Sequence, residues 1–246
     1  VDTALGRAGW WRRTRLANNE GVLRALIFDF DGLIVDSEIP VFQAWQETYR
    51  AHGLELPLEF WRTVIGRGSN YFDPISDLEA KVGRALEREA LDSARRARVE
   101  VLMADRPVLA GVREWRAEAA AAGVRLGLAS GSSSSWVLGN LNRLGLGEGW
   151  DCIRCRDHVN RPKPAPDVYQ AVLECLQVEA GEAVALEDSE YGVAAAKAAG
   201  LFCVVVPSAL TRDQDLSRAD LRLESLSDGG LAQLDSLIAP APAVNP

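Results

Sequence analysis

Ala25-Leu26-Ile27-Phe28-Asp29-Phe30-Asp31-Gly32 is the stretch on which the reading of this chain turns. Its first four residues form a short apolar run with a β-branched and an aromatic member, the pattern of a strand buried on both faces of a parallel sheet. Two carboxylates follow, two residues apart, where the strand opens into a turn relieved by Gly32. Side chains at i and i+2 leave a strand on the same side, so Asp29 and Asp31 can face one ligand. Negative charge so crowded is costly unless a cation sits between the groups. On these residues alone, a polar strand end and a site for metal and nucleophile are equally good readings.

Outward from this run the periods alternate. Strands are expected at Ala25–Phe30, Val124–Ala129, Asp151–Cys155, Ala183–Glu187 and Phe202–Val206. Helices are expected at Val112–Ala122, Ser134–Leu144, Pro166–Leu176 and Tyr191–Ala199, with Gly123, Gly145 and Gly200 where a helix-ending glycine belongs. Strands alternating with helices through short links argue an α/β fold, a doubly wound parallel sheet. From about Pro40 to Arg106 that rhythm stops, and helical patterns follow one another (Val41–His52, Leu58–Ile65, Arg84–Met103). The expected organisation is a Rossmann-like core over 23–39 and 107–238, interrupted by an all-helical cap over 40–106. Residues 1–22 and 239–246 are expected to be a flexible extension and a frayed tail.

Composition narrows the function classes. The chain has 246 residues, 48% hydrophobic and 25% charged, with a net charge of −8. It is an ordinary globular composition, and general affinity for nucleic acid or an anionic membrane is disfavoured. No apolar stretch suffices to span a bilayer and the N-terminal segment lacks a secretory h-region, so a cytoplasmic protein is expected. Cys152, Cys155, Cys175 and Cys203 do not suggest a disulfide framework in a chain this long. They read as buried small hydrophobes, with a redox role for the Cys152/Cys155 CxxC pair as the alternative. With only His52 and His158, a Cys/His zinc site has too few partners. Of 27 basic residues only Lys81, Lys163 and Lys197 are lysines, so lysine is kept by chance or where a flexible point charge is needed.

Ligands of an open parallel sheet bind beyond the carboxyl ends of its strands. Those ends carry Asp29 and Asp31, then Ser130-Gly131-Ser132, then Arg161-Pro162-Lys163-Pro164, then Glu187-Asp188-Ser189 with Gly192. Singly, each has a plain alternative: Ser130 to Ser135 an N-cap, Lys163 a solvated cation, Glu187-Asp188 acids at a helix start. Jointly, several carboxylates, a hydroxyl with free amides and one lysine at a single sheet edge describe a site for Mg²⁺ and phosphate.

The chain resembles the haloacid dehalogenase-like superfamily, in the branch of beta-phosphoglucomutase-like phosphatases with a helical cap. The matching residues are Phe28 to Glu38, Leu128 to Ser132, Arg161 to Asp167, and Leu186 to Ser189 with Gly192, Ala195 and Ala196. The resemblance implies that the first strand lies centrally, between the strands ending at Ser130 and at Glu187-Asp188. It implies Asp29 as the nucleophile that forms an aspartyl-phosphate and Asp31 as the general acid and then base. Mg²⁺ would be held by Asp29, the backbone carbonyl of Asp31, and Asp188, with Glu187 direct or through water. Ser130, the Gly131 amide and Lys163 would grip the phosphoryl oxygens.

A helical insert of this kind implies a lid that excludes water and chooses the substrate. Gly66-Arg67-Gly68-Ser69-Asn70 is either its specificity loop, with Arg67 and Asn70 touching substrate, or a simple connection. Lys81 is expected at the surface. Sugar-phosphate mutases of this branch carry a histidine ten residues beyond the second motif aspartate, where this chain has Val41. Hydrolysis is therefore favoured over a mutase, and both over a non-catalytic phosphate-binding protein. The expected partner is a small phosphorylated metabolite, a sugar or nucleotide phosphate, for a monomer or weak dimer.

Overall fold

The computed structural model describes residues 23–65 and 71–238. The expectations for residues 1–22 and 239–246, and for Arg67 and Asn70, lie outside the described residues. Five strands follow the expected runs closely: β1 Ala25–Phe28, β2 Arg125–Ala129, β3 Cys152–Arg154, β4 Ala183–Glu187 and β5 Phe202–Val205. A two-residue β6, Leu221–Arg222, completes one sheet in the order β3-β2-β1-β4-β5-β6, and every pairing is parallel. β1 is central, with Phe28 opposite Leu128 on one side and Leu186 on the other.

The two faces of β1 go to different cores, as a pleat of period two requires. Leu26 and Phe28 join a cluster with α5 (Val112–Ala122), α6 (Ser134–Arg143) and α9 (Leu231–Ile238), contributing Trp115, Leu141 and Leu234. Ala25 and Ile27 join a second cluster with α7 (Asp167–Leu176) and α8 (Glu190–Ala198), contributing Val172 and Val193. Both faces are covered by helices, the doubly wound arrangement. Full burial of residues such as Leu26 and Phe28 contributes roughly 1.5–3 kcal/mol each.

Among the described residues, the elements between β1 and α5 are all helices: α1 Glu38–Ala51, α2 Leu58–Val64, α3 Pro74–Val82 and α4 Arg88–Met103. They enclose their own cluster, with Trp45, Tyr49, Leu56, Trp61 and Leu78, while Ala44, Val99 and Met103 reach the sheet-side core. Tyr49 is fully buried and donates its hydroxyl to Asp77 at 2.6 Å, fixing α1 to α3. Lys81 lies at the surface, paired with Asp77 at 2.7 Å.

The cysteines require a correction. Cys152 and Cys175 form a disulfide, joining β3 to α7. Cys175 lies on the exposed side of α7 and is no buried hydrophobe; Cys155 and Cys203 are free and buried. The Cys152–Cys155 redox pair is excluded in this state, because Cys152 is bonded elsewhere. The separation of 23 residues carries no pairing signal; the two sulfurs meet because α7 packs against β3.

Candidate active site

Parallel strands ending in register bring the motifs to one edge. β1 passes directly into Asp29, whose amide donates to the Leu186 carbonyl at 2.9 Å, and β4 ends in Glu187 beside Asp188. One carboxylate oxygen from each of Asp29, Glu187 and Asp188 lies within 4.8 Å of the other two, and all three residues are buried. Lys163, from the segment after β3, reaches into this group. Its Nζ is 2.6 Å from Asp29 Oδ1, 2.6 Å from Glu187 Oε1 and 3.0 Å from the Ala129 carbonyl.

The charges do not balance: three carboxylates face one ammonium. Burial pushes the Asp29 carboxyl up to about 8, against the pull of Lys163 and with Glu187 and Asp31 adding to the rise. Burial likewise holds Asp188 well above the usual range, reinforced by Asp29 and Glu187. For Lys163, burial pulls the ammonium down, but Asp29 and Glu187 outweigh it and hold it above its ordinary value. A divalent cation would relieve the ionised carboxylates. The donor set is all oxygen, which suits Mg²⁺ better than a soft metal.

Two glycines leave the carboxylates their room. A Cβ on Gly32, whose φ of +81° already favours glycine, would fall 2.1 Å from Asp188 Oδ2. A Cβ on Gly192 would fall 1.9 Å from Glu187 Oε2. The close approach of α8 and of the turn after β1 is thus part of how the acids are placed.

Asp31 is not among the clustered carboxylates. Its Oδ1 accepts from the Ser37 hydroxyl at 2.6 Å and from Trp136 Nε1 at 3.0 Å, and its Oδ2 from the Ser132 hydroxyl at 2.6 Å. It lines a cleft of about 950 Å³ between α1, α4 and α6, together with Glu38 and Val41. Burial, with Asp31 and Asp29 nearby, pushes the Glu38 carboxyl up to about 8.

At the end of β2, Ser130 is fully buried and its hydroxyl accepts the Ser132 amide at 3.0 Å. Gly131 is exposed with open space around its Cα, so its backbone is accessible. The structure therefore brings Asp29, Lys163, Glu187 and Asp188 into contact, puts Ser130 and Gly131 beside them through Ala129, and turns the Asp31 side chain toward the cleft.

Several partners were not read from the sequence. Tyr169 donates to Glu187 Oε1 at 2.6 Å, and Thr211 to Asp188 Oδ2 at 3.3 Å. Ser37 and Ser132 stand inside the quoted motifs, a signal that was available. Trp136, Tyr169 and Thr211 carry no local signal, because their partners are distant in the chain.

The haloacid dehalogenase-like hydrolase family matches residues 23–200. YhcW of Bacillus subtilis is 39% identical over 213 residues, which are 87% of this chain and 96% of that protein. The fructose-1-phosphate phosphatase YqaB of Escherichia coli is 31% identical over 193 residues, 74% of this chain and 95% of YqaB. Among solved structures, a variant of CbbY from Rhodobacter sphaeroides in complex with xylulose-1,5-bisphosphate aligns with a TM-score of 0.74 at 33% identity. That alignment covers 87% of this chain and all of the other.

Proposed function

The chain belongs to the haloacid dehalogenase-like hydrolases and is a phosphatase; from that premise we propose that it is a Mg²⁺-dependent phosphomonoesterase of small phosphorylated metabolites, working through an aspartyl-phosphate on Asp29. One observation carries this reading. The two motif aspartates have separate surroundings, Asp29 among the acids and Lys163, Asp31 among neutral donors at the cleft. Separation of environments is how one site assigns two carboxyl groups different tasks.

In the proposed reaction, Asp29 attacks phosphorus and the ester P–O bond breaks, while Asp31 gives a proton to the departing alcohol oxygen. Asp31 then takes a proton from water, whose oxygen displaces Asp29 and releases inorganic phosphate. Dividing the displacement between two easier steps is the advantage of a covalent carboxylate. Lys163, Ser130 and the Gly131 amide hold the non-bridging oxygens, where charge is spread in the transition state. Asp29, Glu187 and Asp188, with the Asp31 carbonyl, would hold Mg²⁺. The ion, when bound, neutralises carboxylate and phosphate so that one anion can approach another. The helical block α1–α4 acts as the cap that excludes water. Val41 puts an apolar side chain on the wall of the cleft that Asp31 also lines, which supports hydrolysis over mutase chemistry. The names of the relatives, with their sugar phosphates, support a sugar-type ester as substrate.

The test is turnover of p-nitrophenyl phosphate by the full chain with Mg²⁺. Activity is expected to vanish in EDTA and in Asp29→Asn, with the variant keeping the wild-type circular dichroism spectrum. Wild-type rates in Asp29→Asn would refute the covalent role.

A further inference from the structure

Lys163 has no hydrogen bond left to give. An ammonium carries three N–H groups, and three acceptors lie within reach of this one: Asp29 Oδ1, Glu187 Oε1 and the Ala129 carbonyl. To grip a phosphoryl oxygen, Lys163 must release one of them. Its two carboxylate partners differ in what such a release leaves behind. Among the described residues, Asp29 Oδ1 has Lys163 as its only donor, whereas Glu187 Oε1 also accepts from the Tyr169 hydroxyl at 2.6 Å.

Glu187 needs that second donor. The residue is fully buried, and its Oε2 is already taken by the Asp188 amide at 3.2 Å and the Ser189 hydroxyl at 3.5 Å. The backbone of α8 closes over the same oxygen, where a Cβ on Gly192 would fall 1.9 Å away. If Lys163 turned away and Tyr169 had no hydroxyl, Oε1 would be a buried acceptor shut off from bulk water, which is costly.

The ring of Tyr169 serves the same cation. Tyr169 is fully buried at the third position of α7, and Lys163 Nζ lies 5.0 Å from its ring centroid. That is within the range at which an aromatic face attracts an ammonium. Filling the core here asks only for the ring; the hydroxyl stands where lysine and glutamate meet.

We propose that Tyr169 is a positioning residue for phosphate: its hydroxyl keeps Glu187 satisfied while Lys163 transfers one N–H from that carboxylate to a phosphoryl oxygen. The inference rests on the phosphomonoesterase reading above, in which Lys163 grips phosphate. In the free site both side chains serve Glu187 Oε1; with phosphate bound, Tyr169 serves it alone. Loss of the hydroxyl is then felt more in the bound state than in the free one, and the difference is read as weaker phosphate binding.

The experiment titrates the full chain, saturated with Mg²⁺, with inorganic phosphate in a calorimeter, for wild type, Tyr169→Phe, Lys163→Met and the double variant. Tyr169→Phe keeps the ring and is expected to weaken phosphate binding about tenfold, the effect of one hydrogen bond to a charged group. Titrated with Mg²⁺ in the absence of phosphate, the same variant is expected to bind within about twofold of wild type, because Lys163 still serves Glu187 there. In the Lys163→Met background, Tyr169→Phe is expected to leave phosphate affinity unchanged, since no lysine remains to be shared. Wild-type phosphate affinity in Tyr169→Phe overturns the inference. So does an equal loss in both lysine and methionine backgrounds, or an equal loss of affinity for Mg²⁺ and phosphate. Where Lys163→Met does not fold or binds no phosphate, the split between Mg²⁺ and phosphate in Tyr169→Phe decides alone. Turnover of p-nitrophenyl phosphate by wild type separates the two failures. If wild type is active and Tyr169→Phe binds phosphate normally, only this inference fails; if wild type neither hydrolyses nor binds phosphate, the functional reading fails with it.

Discussion

Trp136 donates its indole N–H to Asp31 across 105 positions of chain, at 3.0 Å. With Ser37 and Ser132 it holds both oxygens of that carboxylate, aiming it at the cleft and away from the acids around Lys163. The first turn of α6 thus serves as a positioning device for a group on the loop after β1.

Trp136→Phe should therefore lower kcat with little effect on KM. A hydrogen bond to a charged group contributes about 1.5–3 kcal/mol, which corresponds to roughly a ten- to hundredfold loss. An unaltered kcat would show that the indole only packs.

Mg²⁺ should stabilise the protein more at high pH than at low. Burial raises the Asp29 carboxyl to about 8 and Asp188 well above its usual range, whereas an unfolded aspartate ionises near pH 4. Without metal, stability present below about pH 4 is lost as the pH rises through about 8, because the unfolded chain has already released those protons. Mg²⁺ binds the ionised form, so its effect on melting temperature should grow between about pH 5.5 and pH 8. Equal Mg²⁺ shifts at both ends of that range would contradict the assignment of these acids to the ion.

Lys163→Met should be destabilising in EDTA and less so with Mg²⁺. The lysine side chain is 9% exposed and pairs at 2.6 Å with both Asp29 and Glu187. Removing one partner of a buried ion pair costs about 3–5 kcal/mol, because the remaining charge is left uncompensated. Thermal melts of wild type and variant with and without Mg²⁺ provide the comparison. A loss of the same size in both conditions would argue that the lysine and the ion do not share these carboxylates.

Dithiothreitol should lower the melting temperature of the wild type. A ring closed over 23 positions constrains the unfolded chain by about 3 kcal/mol in the chain-entropy account. For a chain of this size that corresponds to roughly 6–12 °C. The double variant Cys152→Ser, Cys175→Ser should melt near the reduced protein and ignore the reductant.

How far the sequence carries can be seen element by element. β4 and α5 coincide with their expected spans, because an unbroken apolar run and a helix ended by Gly123 are local signals. The central place of β1 followed the resemblance and is seen in its pairings with β2 and β4. α1 begins at Glu38 and not Val41, since Pro40 is tolerated in a first helical turn. The solvated helix expected around Lys81 is α3, whose bounds follow from the Asp73 cap, Pro74 at its start and Gly83 at its end. β6 has two residues and no period to read. The acids and Lys163 were legible because each stands at the end of a strand or its following loop. The donors to Asp31 and the disulfide were not, because both depend on which helix packs on which strand.

Cys152 and Cys175 lie on either side of the segment that delivers Lys163. A protease that severs one peptide bond between 156 and 166 therefore leaves two pieces that remain covalently attached. Such nicked protein would migrate as one band on a denaturing gel until a thiol is added, and as two afterwards.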